Sequence, residues 1–433
     1  MPVALLAGSL VLAGCSAGDL GSSGGGAAAG KVTITFLVDN SEQSTKPAEQ
    51  LAKDFTAANP NITVKVETRP QGGDGDNVVK TRLATGDMSD VFMYNSGSLF
   101  QALNPQKNLL PLTGESWVAK TDKTFQQTVS AANEVYGAPF GTAVGGGVLY
   151  NRTIYQRLGL QVPKTWAEFM ANNAKIKNAG LAPVIQTYQD TWTSQLFVLG
   201  DYHNVATAEP TFAEQYTGNK AKFATSPNAL KGFEHLQAVH DAGYLNKDFA
   251  AAKFEVGLAE LATGKGAHYP MLTFAIGPMV QATPSAAKDV GFFALPGDDA
   301  ATNGLTAWMP AGTYIPKTTE GDKLAAAKKF VAFVASPAGC DAQTKGVPPG
   351  GPYLVEGCSL PADSPQGVKD LLAYFQPGVA KTPALEFLSP IKGPALEQIT
   401  VEVGSGIRSA KDGAALYDKD VTKQAKQLGL PGW

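Results

Sequence analysis

Within five residues, Tyr188-Gln189-Asp190-Thr191-Trp192, the chain sets two aromatic rings beside a carboxylate and an amide, just ahead of the apolar run Leu196-Phe197-Val198-Leu199. Such a set suits an uncharged ring that carries hydroxyls. An aromatic face covers the apolar C–H side of that ring, a carboxylate accepts from two hydroxyls, and an amide donates and accepts together. The same residues also read as a helix N-cap at Asp190 with Trp192 buried, and both descriptions can hold. Asp39, Asn40, Glu42 and Gln43 form a second polar set, for which the alternative is a solvated turn.

Other chemistries find little material. Four histidines and three cysteines, with no C-x-x-C and no H-E-x-x-H, make a metalloenzyme hard to build, and no metal or cofactor is expected. His235 and His240 are five apart, share no helix face well, and read as surface; His268 reads as a structural histidine or a ligand contact. Gly21-Ser22-Ser23-Gly24-Gly25 matches G-x-S-x-G in letters only, since that motif needs a strand before it and a helix after it. Lys+Arg 35 against Asp+Glu 38 gives a net charge of −3, which excludes the basic field that nucleic acid or an anionic membrane would require.

The elements that position these groups follow from periodicity. Of 433 residues, 44% are hydrophobic, enough for two to four cored units. Val32, Ile34, Phe36 and Val38 alternate as a strand, and Ala48, Leu51, Ala52 and Phe55 recur at helical spacing until Asn59-Pro60. Ile62, Val64 and Val66 give a second strand, 77–85 a helix capped by Gly86, and 91–94 a third strand. This β-α-β-α-β order predicts a doubly wound α/β layer with a parallel sheet, which binds ligands beyond the carboxyl ends of its strands. The loops after Val38 and Tyr94 are site candidates on that geometry. Thr165-Trp166-Ala167-Glu168 is a capping box, and 322–335 reads as a helix striped by Leu324, Ala327, Phe330, Val331 and Val334.

Val3 to Ala13 is too short to span a bilayer and has the length of a secretion-signal core. It ends Leu12-Ala13-Gly14-Cys15, which resembles the lipobox of bacterial lipoproteins, although no Lys or Arg precedes it. That resemblance implies a signal peptide at 1–14 and lipid on Cys15. Ser16 to Gly30 holds six Gly, four Ala and three Ser. A chain of that composition is a flexible tether of about 20 Å mean span, near 50 Å fully extended. With Cys15 lipidated, Cys340 and Cys358 remain as an even pair for a disulfide outside the cytoplasm, the alternative being two free thiols.

Further patches carry a wider resemblance. They are FTAANPNITVKV (55–66), LATGDMSDVF (83–92), 109–112, YGAPFGTAVGGGVLYN (136–151), LGLQVPKTWAEF (158–169), LATGKGA (261–267), 290–296 and 312–317 with the helix that follows. In this order the chain resembles the extracellular solute-binding proteins of ABC importers, in their carbohydrate-binding, maltose-binding-protein-like branch. The resemblance implies a type II periplasmic-binding fold: two doubly wound α/β lobes joined by a hinge. It places lobe 1 at 31–141 plus 290–335 and lobe 2 at 142–289 plus 336–433. Gly141 and Gly145 to Gly147 fit the first crossing, as a hinge or as a loose loop between strands.

By the same resemblance Tyr94 becomes a stacking platform, or a core residue, and Asn95 a hydroxyl partner. Thr142 lies beside the crossing. Phe274 stands where the family commonly holds Trp, Trp308 faces the cleft from the second crossing or belongs to the core, and Glu386 with Phe387 supplies one more contact. The implied protein is a monomeric, lipid-anchored carrier on the extracellular face of the cell membrane. It hands a mono- or oligosaccharide to a permease. Rivals are a binding protein for a polyol, peptide or iron complex, and a secreted glycoside hydrolase using Asp190 and Glu386 as its two carboxylates.

Overall fold

The computed structural model describes residues 30–376 and 378–433. The signal sequence, Cys15, all of the tether but Gly30, and the Gly21–Gly25 pattern lie outside the described residues. No helix among the described residues is long and apolar enough to cross a membrane.

Strand β1 (Val32–Asp39) buries Ile34, Phe36 and Val38, and helix α1 (Glu42–Ala58) lays Ala48, Leu51 and Phe55 against them. Next come β2 (Ile62–Arg69), α2 (Gly72–Thr85) and β3 (Val91–Tyr94). Helix α2 stops at Gly86, whose φ of 78° only glycine adopts without strain. After β4 (Gly137–Phe140) the chain crosses to a second body and makes β5 (Val144–Asn151). That body adds α3 (Trp166–Asn178), opened by the Thr165/Glu168 capping box, then β6 (Ala182–Val184), α4 (Pro227–Asp241), α5 (Phe254–Ala262) and β7 (Gly266–Leu272). Strands β8 (Val290–Ala294), β9 (Leu305–Trp308) and β10 (Ala311–Tyr314) precede helices α6 (Gly321–Val334), α7 (Pro337–Gly346) and α8 (Gln366–Tyr374). Strand β11 (Lys381–Pro383) and helices α9 (Leu396–Gly404) and α10 (Ala410–Gln427) complete the chain.

Two large sheets result, one in each lobe, beside a two-stranded ribbon at 130–135. The first runs β2-β1-β3-β10-β4, with β1 parallel to β2 and β3 and with β10 antiparallel to β3 and β4. It is thus mixed where the β-α-β order alone predicts parallel, because β10 returns from the other lobe. The second runs β11-β9-β5-β7-β6, with β8 continuing along the edge of β5 that β9 also uses. Phe36, Phe55 and Phe330 meet edge-on in the first core at 5.2 Å between centroids.

The lobe boundaries differ from those the sequence suggests. Residues 290–308 do not return to lobe 1: β8 and β9 both pair antiparallel with β5, so the second crossing is Met309-Pro310. Lobe 1 also does not end at 335. Helix α7 packs on α1 and Thr121 bridges Val355. The end of α7 and the loop after it touch lobe 2 where Gln281 Nε2 donates to the Gly346 carbonyl and Gly350 abuts Phe274, and the chain enters lobe 2 when α8 packs on β8. The disulfide Cys340–Cys358 fastens α7 to that returning loop.

Gly145, Gly146 and Gly147 are not a hinge. They lie inside β5, where a Cβ on Gly145 would sit 2.9 Å from Leu305 Cδ1 and one on Gly146 2.9 Å from Trp308 Cη2. Gly141 is the residue at the crossing with a left-handed backbone, φ 87°, and nothing crowds its Cβ direction. His235 is not on the surface either. It is buried with its ring stacked on Trp166, 3.7 Å between centroids, and burial pushes its pKa down to about 3.

Candidate functional site

A cavity of about 960 Å³ lies between the lobes, within the size range of small-molecule sites. Its lobe 1 wall is made by the loops after β1, β2 and β3, the carboxyl ends that the doubly wound rule selects. Asn40, Gln43 and Asn95 stand there, as does Arg69 from the end of β2. The backbone N–H of Asn40 donates to the Arg69 carbonyl at 2.9 Å and holds these two strand ends together. Asp39 is spent on its own loop: its carboxylate accepts from Ser41 N–H at 2.9 Å and from the Ser44 hydroxyl at 2.7 Å.

The second crossing supplies the floor. Trp308 is buried over Gly146, packed with Val144 and Ala384, and its indole N–H donates to the Glu386 carboxylate. Lys392 Nζ lies 4.0 Å from the other Glu386 oxygen. Ala384 N–H bonds the Ala307 carbonyl at 2.9 Å, which pins the short helix bearing Glu386 to strand β9. Trp, carboxylate and ammonium therefore form one fixed row at the cavity wall.

Lobe 2 contributes an aromatic corner. Trp192 lies 5.2 Å from Phe254 and 6.0 Å from Phe274, centroid to centroid, with Trp192 and Phe274 both on the cavity. Asp190 lines it too, yet its Oδ2 accepts from Phe254 N–H at 2.7 Å. The cap expected of Asp190 is real but serves α5 instead of the turn that follows it.

Three polar atoms of the wall have no partner: Gln43 Oε1, Arg69 Nε and the Trp192 indole N–H. Leaving such buried groups unpaired costs about 1–3 kcal/mol each, which leaves this wall with polar atoms still in want of partners. Seven carboxylates and four cations line the cavity, a balance unfavourable to anionic ligands. Among the described residues no cluster of three or more His, Cys, Asp or Glu could hold a metal ion.

Of the residues singled out from sequence, Asn40, Gln43, Asn95, Asp190, Trp192, Phe274, Trp308 and Glu386 meet here. Four do not. Tyr94 is the last residue of a wholly buried strand; its ring is fully covered, with the Arg69 guanidinium 5.5 Å from its centroid, and burial pushes its hydroxyl pKa well up. Tyr188 points into lobe 2 against Phe249 and Gly404. Thr142 is buried at the crossing away from the cavity wall, and Glu42 faces solvent, paired with Lys46 at 2.8 Å. His268 is structural, held by the Tyr155 hydroxyl at 2.7 Å and Asn173 Oδ1 at 2.8 Å, with burial taking its pKa to about 3.

Arg69, Lys392 and Glu397 line the cavity without having been singled out. Arg69 follows from applying the strand-end rule to β2; Lys392, a loop charge, and Glu397, an ordinary first-turn acid of α9, carry no such signal.

Asp190 is bound to α5 and Glu386 to Trp308 and Lys392, so each of the two carboxylates already has partners within the fold. The sequence profile of the bacterial extracellular solute-binding proteins matches residues 39–339. The chain is 28% identical over 314 residues to the multiple sugar-binding protein of Streptococcus mutans, covering 70% of this chain and 71% of that one. It is 24% identical over 349 residues to the melibiose/raffinose/stachyose-binding protein MelE of Bacillus subtilis, with 76% and 75% covered. A solved chitin oligosaccharide binding protein superposes with a TM-score of 0.76 at 18% identity, over 91% of this chain and 100% of that one. This shared fold is the two-lobed, type II solute-binding architecture.

Proposed function

We propose, because this chain belongs to the family of bacterial extracellular solute-binding proteins, that it captures a neutral mono- or oligosaccharide between its lobes without altering it and delivers it to the permease of an ABC importer. The observation that carries this reading is the row Trp308–Glu386–Lys392 facing the Trp192/Phe274 corner. It offers flat apolar faces and directed polar atoms on the same cavity, which is what a pyranose presents in return. The sugar-binding names of two relatives support it.

Contacts made to both lobes at once favour the closed form by the difference in ligand affinity between the two forms. The LAGC sequence supports a lipid anchor at Cys15 and a monomer tethered by 16–30 on the outer face of the membrane.

A thermal-shift panel tests the assignment, with melibiose, raffinose, stachyose and chito-oligosaccharides beside polyols and peptides. A sugar at about 100 times its Kd adds roughly 2.7 kcal/mol of stability. A panel in which no sugar shifts the transition removes the carbohydrate assignment; turnover of a labelled oligosaccharide by the purified protein would remove the binding-only one.

A further inference from the structure

Helix α2 begins without a cap of its own. Gln71 stands at its N-cap position and makes no side-chain bond to the first turn, which reads Gly72-Gly73-Asp74-Gly75. One of its open N–H groups, that of Gly73, is met by a carboxylate from the opposite lobe. Glu397, in the first turn of α9, accepts from Gly73 N–H at 3.4 Å. A Cβ on Gly73 would lie 2.9 Å from Glu397 Oε1, and one on Gly72 would lie 3.4 Å from Oε2. The absence of side chains at 72 and 73 is therefore what lets the carboxylate approach. Lys392 approaches Glu397 from its own lobe and Asp76 from α2.

The two partners belong to different bodies. Val79 and Leu83 fix α2 in the first core, and Leu396, Ile399 and Val403 fix α9 in the second. Nearby, Gly97 of lobe 1 abuts Phe387 of lobe 2, and Lys46 Nζ meets Gln281 Oε1 at 3.1 Å, so the lobes touch at more than one point.

We propose that Glu397 is a positioning residue that caps α2 from across the cleft, completing the helix only when the lobes close and thereby setting how far closure proceeds. An anionic group at a helix N-terminus satisfies its open donors and its dipole. Opening the cleft withdraws that group. Because the cap exists in one form only, its whole contribution falls on the balance between open and closed. The inference rests on reading the cavity as a ligand site between moving lobes.

The test is a ligand-free measurement on the whole chain, single-molecule energy transfer between dyes at the exposed positions Lys107 and Lys411, one on each lobe. Glu397→Ala should raise the open-to-closed ratio about 2- to 30-fold, the range of a helix cap. Glu397→Gln, which keeps an uncharged acceptor, should fall between. Gly73→Ala should open the wild-type protein by a similar factor and do nothing further in the Glu397→Ala background, because both changes cut one bond. The conservative Gln variant guards against a folding defect in the Ala variant. A ratio that Glu397→Ala leaves unchanged, or effects of the two substitutions that simply add, overturns the proposal. Since no sugar enters this experiment, it fails or succeeds independently of the thermal-shift panel.

Discussion

The indole N–H of Trp308 donates to the carboxylate of Glu386, and the two residues come from segments 78 apart in sequence that the pairing of β9 with its short neighbour β11 brings side by side. Lys392 holds the far oxygen of the same carboxylate. Glu386→Gln keeps the shape and the acceptor for Trp308 but loses the charge that Lys392 faces. Affinity for the sugar that the thermal-shift panel identifies should fall about 10-fold, or ~1.4 kcal/mol. Isothermal titration reads this directly, and an unchanged Kd would reduce Glu386 to a scaffold for Trp308.

Gly146 lies directly beneath the Trp308 ring. Gly146→Ala should lower stability by about 1–3 kcal/mol through overpacking and weaken sugar binding by tilting the ring. Gly141→Ala offers the contrast: its Cβ meets nothing, yet φ at 87° strains any side chain, so it should alter the open–closed ratio more than the contacts of the site. Urea melts beside titrations of both variants separate these effects.

Asp201 is buried with one carboxylate oxygen bonded to Asn204 Nδ2 at 2.8 Å and the other unpaired, and burial raises its pKa to about 7 from the usual 3.8. The folded state therefore holds this proton where the unfolded state has lost it. Stability from Asp201 is full below about pH 4, declines as pH rises to about 7, and stays low above. His235 and His268, with pKa values pushed down to about 3, act in the opposite sense below pH 6.5. Asp201→Asn isolates the first effect: the variant should melt higher than wild type at pH 8, with the difference gone by about pH 4. Equal melting temperatures at pH 8 would show Asp201 reaching water.

The Cys340–Cys358 bridge closes a loop of 18 residues. Removing it as the Cys340→Ser, Cys358→Ser pair should cost about 3 kcal/mol in the chain-entropy account. Chemical denaturation with and without a reductant measures it, and reductant should not affect the double variant.

Local patterns made much of this molecule legible. The alternation Val32, Ile34, Phe36 fixes β1 and the Thr165/Glu168 pair fixes the start of α3, because each depends on neighbours a few residues away. Strand β8 was not assignable to its sheet. All five of its residues are buried, so no alternation marks a face, and its partner β5 lies about 140 residues earlier. The same limit divides the site. Asp190 and Trp192 could be seen as a cluster, whereas Tyr94 and Asn95 differ by one step of strand alternation, and only packing shows that the ring goes inward while the amide faces the cleft. His235 looked solvated because Trp166, which covers it, lies on another helix. Glu397 reads as a routine first-turn acid until the opposite lobe is seen against it.

Strand β10 sits between β3 and β4, although the larger part of lobe 2, from β5 to β9, is written between them and it in the gene. A nascent chain must therefore be extended past residue 314 before its first sheet has a middle. Until then two strand borders stand bare while the ribosome spells out most of the second lobe, a long exposure to mispairing. Maturation is paced by the last third of the message, and chaperone demand is written into strand order more than into composition.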